Sequence, residues 1–539
     1  MCAGLILSSC VGQTVNNDAS LTRGIGIYPG NPAESFAPVL KEAKIDSYHN
    51  IAAHKTVYHS SAYDYNLTGQ LVTDNIITDK PSATMSVITP FGEVAKNERE
   101  WLFDQIDHTY VTFEGSLLLL QLGLENMQVD ADHFVLTGTA FVDLNKPKGY
   151  DITVSASADG QNWEVLEELK GNDYWGKLPE PHSYKFHPHQ PAKKNPSPVI
   201  FKYDYTEPDG PEPEMKNYWG TGPAGMPVNI NYSAKLPNSQ YHYFKIEGDM
   251  PSVMTWRFAN WDFYKGEEFQ CMLPSLQFNS AWKSAGNEEE WVYVDFGAKA
   301  QFDKVKLFWI NKAVEGKIQV SDNAADWTDV ESLPYGDNNE DEITLKKEAK
   351  GRYLRVLCQH SANARNYELG ELQVFGKGGI VAEPLPQAQA EERKLMLNGG
   401  NWKLQRGSEV KANGVEISSE GFNTQDWIWA TVPGTILSSY RNVAALPDPN
   451  FADNQLQISD SYFLSDFWYH NEFEVSDLGE RTFLNFDGIN WKAEVFLNGK
   501  NVGQIDGAFM KGKFDVTSSL KKGKNILAVK IIRNAHPGT

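Results

Sequence analysis

Phe467 to Ile532 reads FWYHNEFEVSDLGERTFLNFDGINWKAEVFLNGKNVGQIDGAFMKGKFDVTSSLKKGKNILAVKII. Short runs of alternating apolar and polar residues are separated by Gly, Asn and Asp turn signals at roughly 8 to 12 residue spacing, the pattern of a β-sandwich. Within it, Leu497-Asn498-Gly499-Lys500 places Asn-Gly between two strands. Both residues tolerate positive φ, so the spacing predicts a tight hairpin there. Trp468, Tyr469 and Phe473 fall on one alternating run, which assigns part of that aromatic set to a core.

At 539 residues the chain exceeds a single core, and about 100 to 200 residues per domain suggests three or four. Its formal net charge of -21 and the lack of a basic stripe exclude nucleic acid and anionic membrane surfaces as partners, since both require a cationic footprint. Aromatics make up 12% of the residues, including 15 Trp and 23 Tyr, which suits sandwich cores and also the stacking of ring faces on sugars. Cys271 and Cys358 are the two cysteines in folded sequence, so the fold holds at most one disulfide, and two buried free thiols are the favoured reading. Leu5-Ile6-Leu7-Ser8-Ser9-Cys10 resembles the end of a bacterial lipoprotein signal, which makes Cys10 a candidate lipidation site and the location periplasmic or cell-surface. No other run approaches the ~20 apolar residues that span a bilayer.

Residues 1–20 read as signal and tether, and 21–53 as an N-terminal segment whose Gly24–Pro32 stretch lacks the GxxxxGKS/T phosphate loop. Tyr150 to Ser157 is the clearest strand, followed by Asp159-Gly160-Gln161-Asn162-Trp163. Gly316 to Ser321 and Asp326-Trp327 repeat that unit, and Tyr243-Phe244-Lys245-Ile246 is answered by Tyr353-Leu354-Arg355-Val356. Two tandem copies of one β domain explain the repetition: 54–265, carrying an insertion at 178–237, and 268–376. The insertion holds 12 of the 27 Pro and reads as a surface excursion. His182, His187 and His189 inside it lack zinc-site spacing. Asn66-Leu67-Thr68 fits an N-glycosylation acceptor by pattern alone. Residues 377–394 read as a linker and 395–539 as a third sandwich.

The V-S-x-D-G-x-x-W pattern, the upstream Ser60 to Asp64 and the downstream Arg352 to Val356 and Glu371 to Phe375 resemble the discoidin, or coagulation factor 5/8 type C, domain. That resemblance implies eight-stranded sandwiches that often bind glycans through loops at one end. Beyond the linker, Leu397 to Leu404, Trp427 to Thr435, Leu446 to Asn450, Asp466 to Tyr469 and Val495 to Gly503 resemble the N-terminal sugar-binding sandwich of family 2 glycoside hydrolases. The Val432-Pro433-Gly434-Thr435 and Pro447-Asp448-Pro449 segments are most similar to β-mannosidases and exo-β-glucosaminidases. The expected fold class is therefore all-β, with two discoidin-like jelly rolls and a galactose-binding-like sandwich in tandem.

Retaining glycosidases use two carboxyl groups ~5 to 5.5 Å apart. In the resembled family both lie on a (β/α)8 barrel that follows the sandwich, and about 250 residues are needed to build one. Only seven residues follow Ile532, so the barrel and its catalytic carboxylates are expected to be absent. Glu472, Glu474, Asp487 and Asp506 read as solvated surface acids rather than a catalytic pair. The resemblance places Asp448, Asn450 and Asn454 nearest the substrate as rim contacts. The expected function is the carbohydrate-binding N-terminal part of an exo-acting retaining hydrolase of terminal β-glucosaminides or β-mannosides. The competing reading is a non-catalytic surface glycan-binding or adhesive lipoprotein. Either reading takes a glycan or oligosaccharide partner and no cofactor or metal. A truncated sandwich would leave strand 525–532 without a neighbour on one side.

Overall fold

The computed structural model describes residues 36–43, 47–106, 109–127, 129–178, 225–237, 240–385, 394–399, 401–508 and 510–533. They form three β-sandwiches. In the first, a sheet ordered Trp163–Gly171, Tyr150–Ser157, Tyr243–Asp249, Leu117–Glu125, Thr84–Thr89 and Gly92–Glu93 packs on one ordered Met226–Lys235, His133–Val142, Val253–Lys265 and Glu268–Gln270. Alternation decides which faces meet: Leu118, Leu120, Leu122 and Leu124 point inward from one strand and are at most 2% exposed. They meet Phe134, Leu136, Trp256 and Phe258 from the other layer in one core.

The second sandwich is built around two 22-residue strands, Glu290–Asn311 and Glu340–Ser361. At ~3.3 Å per residue each would outrun a sandwich, so each must bend from one layer into the other. The pairing between them breaks between Asp295 and Ala300, where Gly297 adopts φ +76. A side chain there would also run into Ile380.

Three boundaries differ from those read in sequence. His49–Asn50 pairs with Glu368–Gly378, and Thr56–His59 pairs with Glu290–Asn311, so 49–53, read as part of an N-terminal segment, and 54–73, read as the start of the first sandwich, both belong to the second. Ile51, Val57 and Val72 lie in its core, and the hydroxyls of Ser60 and Ser61 both donate to the Glu290 carboxylate. The first sandwich is thus nested between two segments of the second. Next, Met226–Lys235 is a ten-residue strand pairing with His133–Val142, although sequence placed it in the Pro-rich excursion. It is an edge strand, where Pro227 costs no shared ladder bond. Finally, Ile380–Glu383 pairs with Val39–Glu42, which shortens the linker from its N-terminal side. The three insertion histidines lie outside the described residues.

The repeat is preserved in register. Tyr243 lies opposite Ser157 and Tyr353 opposite Ser321, and both hairpins end on a Trp covered by a cation. Lys245 sits 4.6 Å from the Trp163 ring centroid and Arg355 4.3 Å from that of Trp327. Cys271 and Cys358 are free thiols, the first half-buried and the second buried.

The third sandwich has a sheet ordered Ile428–Trp429, Lys403–Arg406, Phe467–Val475, Gly523–Ile532, Lys492–Leu497 and Lys500–Asp506, with Phe483–Phe486 and Gly512–Asp515 pairing apart from it. Gly523–Ile532 is flanked on both sides, by Phe467–Val475 and Lys492–Leu497, so no apolar edge is left open there. Asn498 and Gly499 take φ 51 and 78, as the Asn-Gly signal requires.

The second and third sandwiches are joined by a buried seam. Leu71, on a short 3-10 turn of the second, is fully buried in the core of the third. Arg406 Nη1 donates to Asp74 Oδ2 at 2.7 Å, with both side chains 2% exposed. Ser280 Oγ donates to the same oxygen at 2.7 Å, and the guanidinium lies 4.2 Å from the Tyr462 ring centroid. Tyr462 Oη in turn donates to the Gln70 carbonyl at 2.8 Å, and Ser459 Oγ to that of Asn66 at 3.0 Å. Burial pushes the Asp74 carboxyl up from its ordinary value, against the pull of Arg406 and Ser280. Glu371 is fully buried beside it; burial, and then the charge of Asp74, hold its carboxyl well above the usual range and favour the neutral acid.

Removing one partner of a buried ion pair strands the other charge at a cost of about 3–5 kcal/mol, whereas removing both is often close to neutral. Arg406→Met alone should therefore lower the urea midpoint sharply. The double variant Arg406→Met with Asp74→Leu should recover most of that loss, as read by tryptophan fluorescence.

Candidate functional site

The segment from Thr435 to Asn454 opens with a short helix, Ile436–Asn442. Thr435 caps it: its hydroxyl accepts from Ser438 N at 3.0 Å, and Ser438 Oγ accepts from Thr435 N at 2.8 Å. Tyr440 is buried on the core side, which leaves Arg441 exposed in the last turn. Arg441 Nη2 reaches Asp448 Oδ2 at 2.9 Å. The other carboxylate oxygen, Oδ1, accepts from Asn450 N at 3.1 Å and from Asn450 Nδ2 at 3.3 Å. Asn454 Nδ2 closes the loop onto the Asp448 carbonyl at 3.0 Å.

Asp448, Asn450 and Asn454 are thus brought together on one rim, with Asp448 as the hub. The Arg441 hydrogen bond, then the Asn450 N–H, hold the Asp448 carboxyl below its ordinary value. An ionised carboxylate accepts hydrogen bonds and donates none. The loop can receive hydroxyl or ammonium protons, and a general acid it is not. Phe451, next in the turn, is 70% exposed and adds an aromatic ring to the same rim. Sequence reasoning missed Arg441 and Phe451. The signal for Arg441 was local, since it lies seven residues before Asp448 at the end of a capped helix.

A small pocket of about 210 Å³ begins at the other end of that helix, lined by Ile436, Phe463, Phe467, Trp491, Ile531 and Arg533. A wider cleft of about 700 Å³ lies against Trp468 and Phe496, with Asp466, Glu494, Lys411 and Lys530 around it. The acids considered and set aside in sequence are surface groups. Glu472 pairs with Lys524 at 2.8 Å, Asp487 with Lys511 at 3.1 Å and Asp506 with Lys492 at 3.2 Å. Among the described residues no group of three or more His, Cys, Asp or Glu could hold a metal ion. Asn66 is 1% exposed with its amide donating to the Pro274 carbonyl at 2.8 Å, so the folded chain offers no glycosylation acceptor there. Cys10 lies outside the described residues.

Comparison with known proteins gives two family matches. Residues 402–538 match the glycosyl hydrolase 2 galactose-binding domain-like family, and residues 275–356 the NedA-like, galactose-binding domain family of the F5/F8 type C group. An exo-β-D-glucosaminidase of Streptomyces avermitilis is 30% identical over 136 residues, which cover 25% of this chain and 15% of that protein. A mannosylglycoprotein endo-β-mannosidase of Lilium longiflorum is 34% identical over 154 residues, 27% of this chain and 16% of that protein. The matched segment thus spans about a sixth of the length of these relatives. Chitosan-binding module 2 of a chitosanase/glucanase from Paenibacillus sp. IK-5, solved with chitotriose, is 31% identical over 18% of this chain and 78% of that module, with a TM-score of 0.17.

Replacing Arg441 by Ala removes the largest influence on Asp448. The Asp448 pKa should then rise toward the ordinary carboxylate value, as followed by carbon NMR titration of the side-chain carboxyl. In the parent chain the Arg441–Asp448 tie persists above the ordinary carboxylate range and is lost only as pH falls through the lowered value.

Proposed function

We propose that this chain is the carbohydrate-binding N-terminal part of an exo-acting retaining glycoside hydrolase that removes terminal β-linked glucosamine or mannose. The observation that carries the reading is the match of residues 402–538 to a hydrolase-family sandwich, on which the Asp448 loop is a built rim rather than an unstructured turn. Asp448, Asn450 and Asn454 contact the substrate's terminal sugar. The physical ground for a glucosaminide is the ionised Asp448, because a fixed carboxylate favours an ammonium donor over a hydroxyl. Asn450 and Asn454 supply the shape of the loop and amide groups for sugar hydroxyls.

The described residues take the part of a scaffold: they position a sugar and do not cleave it. Cys10 carries a lipid that holds the protein at the cell surface or outer membrane. The support for that is the Leu5 to Cys10 pattern.

Calorimetric titration of the purified chain with glucosamine and mannose oligosaccharides tests the reading, alongside assay with p-nitrophenyl β-glucosaminide and β-mannoside. Binding is expected to weaken at least tenfold in Asp448→Ala, with no release of nitrophenol by the parent chain. Turnover by the chain, or glucosamine binding indifferent to Asp448, would overturn the proposal.

A further inference from the structure

The internal repeat supplies its own control for a surface of the second sandwich. Both copies place a cation over a hairpin Trp and a Tyr beside it, so those residues serve the hairpin itself. What differs is the neighbouring strand pair. In the first copy Lys245 lies opposite Gln121, and Gln121 opposite Ile88. In the second, Arg355 lies opposite Tyr293, and Tyr293 opposite Tyr58. Two residues earlier along the same strands, Leu119 in the first copy becomes Trp291 in the second. The second copy therefore carries Tyr58, Tyr293 and Trp291 where the first has Ile88, Gln121 and Leu119.

The inner core does not account for these rings. They alternate with Val57, Val292 and Val294, which are fully buried, and so stand on the opposite, outward face of the sheet, where all three are half-buried. Tyr58 and Tyr293 stack with centroids 5.1 Å apart, and Tyr293 and Trp291 at 5.3 Å, with planes within 27°. Spacing of that size is an offset stack, which leaves part of each ring uncovered. Trp327 extends the cluster at 5.5 Å from Tyr293.

The charged groups around the stack are held by one another and by the Gln319 amide. Arg352 donates twice to Asp295, at 2.8 and 2.8 Å. Arg355 donates to Gln319 at 2.7 Å, whose amide donates to Asp329 at 2.6 Å, and Lys317 pairs with Asp329 at 2.6 Å. Three cations, Arg352, Arg355 and Lys317, are balanced by Asp295, Asp329 and Glu289, the last acting on Arg355 through space, so the face has no surplus positive charge for a phosphate backbone or an anionic lipid. Its apolar area is cut by fixed amide, guanidinium and carboxylate groups, which a dry protein core would leave unpaired with water. The chemistry that suits alternating ring faces and hydrogen-bonding groups is an uncharged polyhydroxylated chain, stacking its C–H faces on the rings and hydrogen-bonding with its hydroxyls.

We propose that the outward face of this sheet, with the stack of Tyr58, Tyr293 and Trp291 at its centre, binds a neutral polysaccharide, separately from the Asp448 loop of the third sandwich. The inference stands without the hydrolase reading, since it uses no residue of that loop. The test is calorimetry and pull-down of the full chain with insoluble chitin, β-mannan and cellulose, and with their soluble hexasaccharides. At least one of these should bind. Tyr58→Ala with Trp291→Ala should lose at least tenfold in affinity, Trp291→Phe should keep most of it, and Leu119→Ala in the first copy should change it less than twofold. An unchanged thermal melting profile shows that the variants are folded. Failure of every polysaccharide to bind the parent chain, or equal binding by the Tyr58→Ala/Trp291→Ala variant, would overturn the proposal.

Discussion

The contact on which the arrangement depends is the Arg406–Asp74 ion pair, buried between two sandwiches that each have a core of their own. Taking two charges out of water is costly, so the pair is a poor source of net stability. Its effect is to make misalignment expensive. Arg406 has one carboxylate within reach, supported by Ser280 and flanked by the Tyr462 ring, and any slip of the seam would strand a charge in a dry space. The neutral preference of Glu371 fits the same constraint, because one guanidinium cannot neutralise two buried carboxylates. Leu71 then works as an apolar peg across the boundary, belonging by chain to one sandwich and by packing to the other.

This seam bears on the proposed site because one of its residues lies on the helix that leads into the Asp448 loop. Tyr440, which contributes to the surroundings of Arg406, is on the same helix as Arg441, the residue that ties down Asp448. One face of that helix is fixed by the seam and the other organises the rim. Thr56 adds a further tie, its N–H donating at 3.0 Å to the carbonyl of Ala444, between the helix and Asp448. The discoidin-like sandwich thereby becomes part of the platform that holds the loop, rather than a module swinging on a tether.

What could be read in the sequence was whatever local spacing determines. The Tyr150–Ser157 strand, the Asn498-Gly499 hairpin and the paired hairpin units each depend on residues within about ten positions of each other, where side-chain period and turn chemistry decide. The nesting of the first sandwich inside the second was not legible, because Ser60 and Ser61 find Glu290 about 230 residues later. Arg406 and Asp74 are 332 positions apart, and an Arg in a short alternating strand has the same pattern whether it meets solvent or a buried acid. The Asp448 loop stood between these cases. Its turn residues were visible and its proposed role came from resemblance, yet the clamp by Arg441 needed the helix to be seen ending beside it.

The claim that the second and third sandwiches form one body is tested most directly by a distance measurement in solution. Spin labels at Tyr335, 89% exposed on the second, and Lys511, exposed on the third, would be placed on a background with the native cysteines replaced. Pulsed dipolar spectroscopy should give a single narrow distance distribution in the parent chain and a broadened one in Arg406→Met. A broad distribution in the parent chain itself would contradict the account.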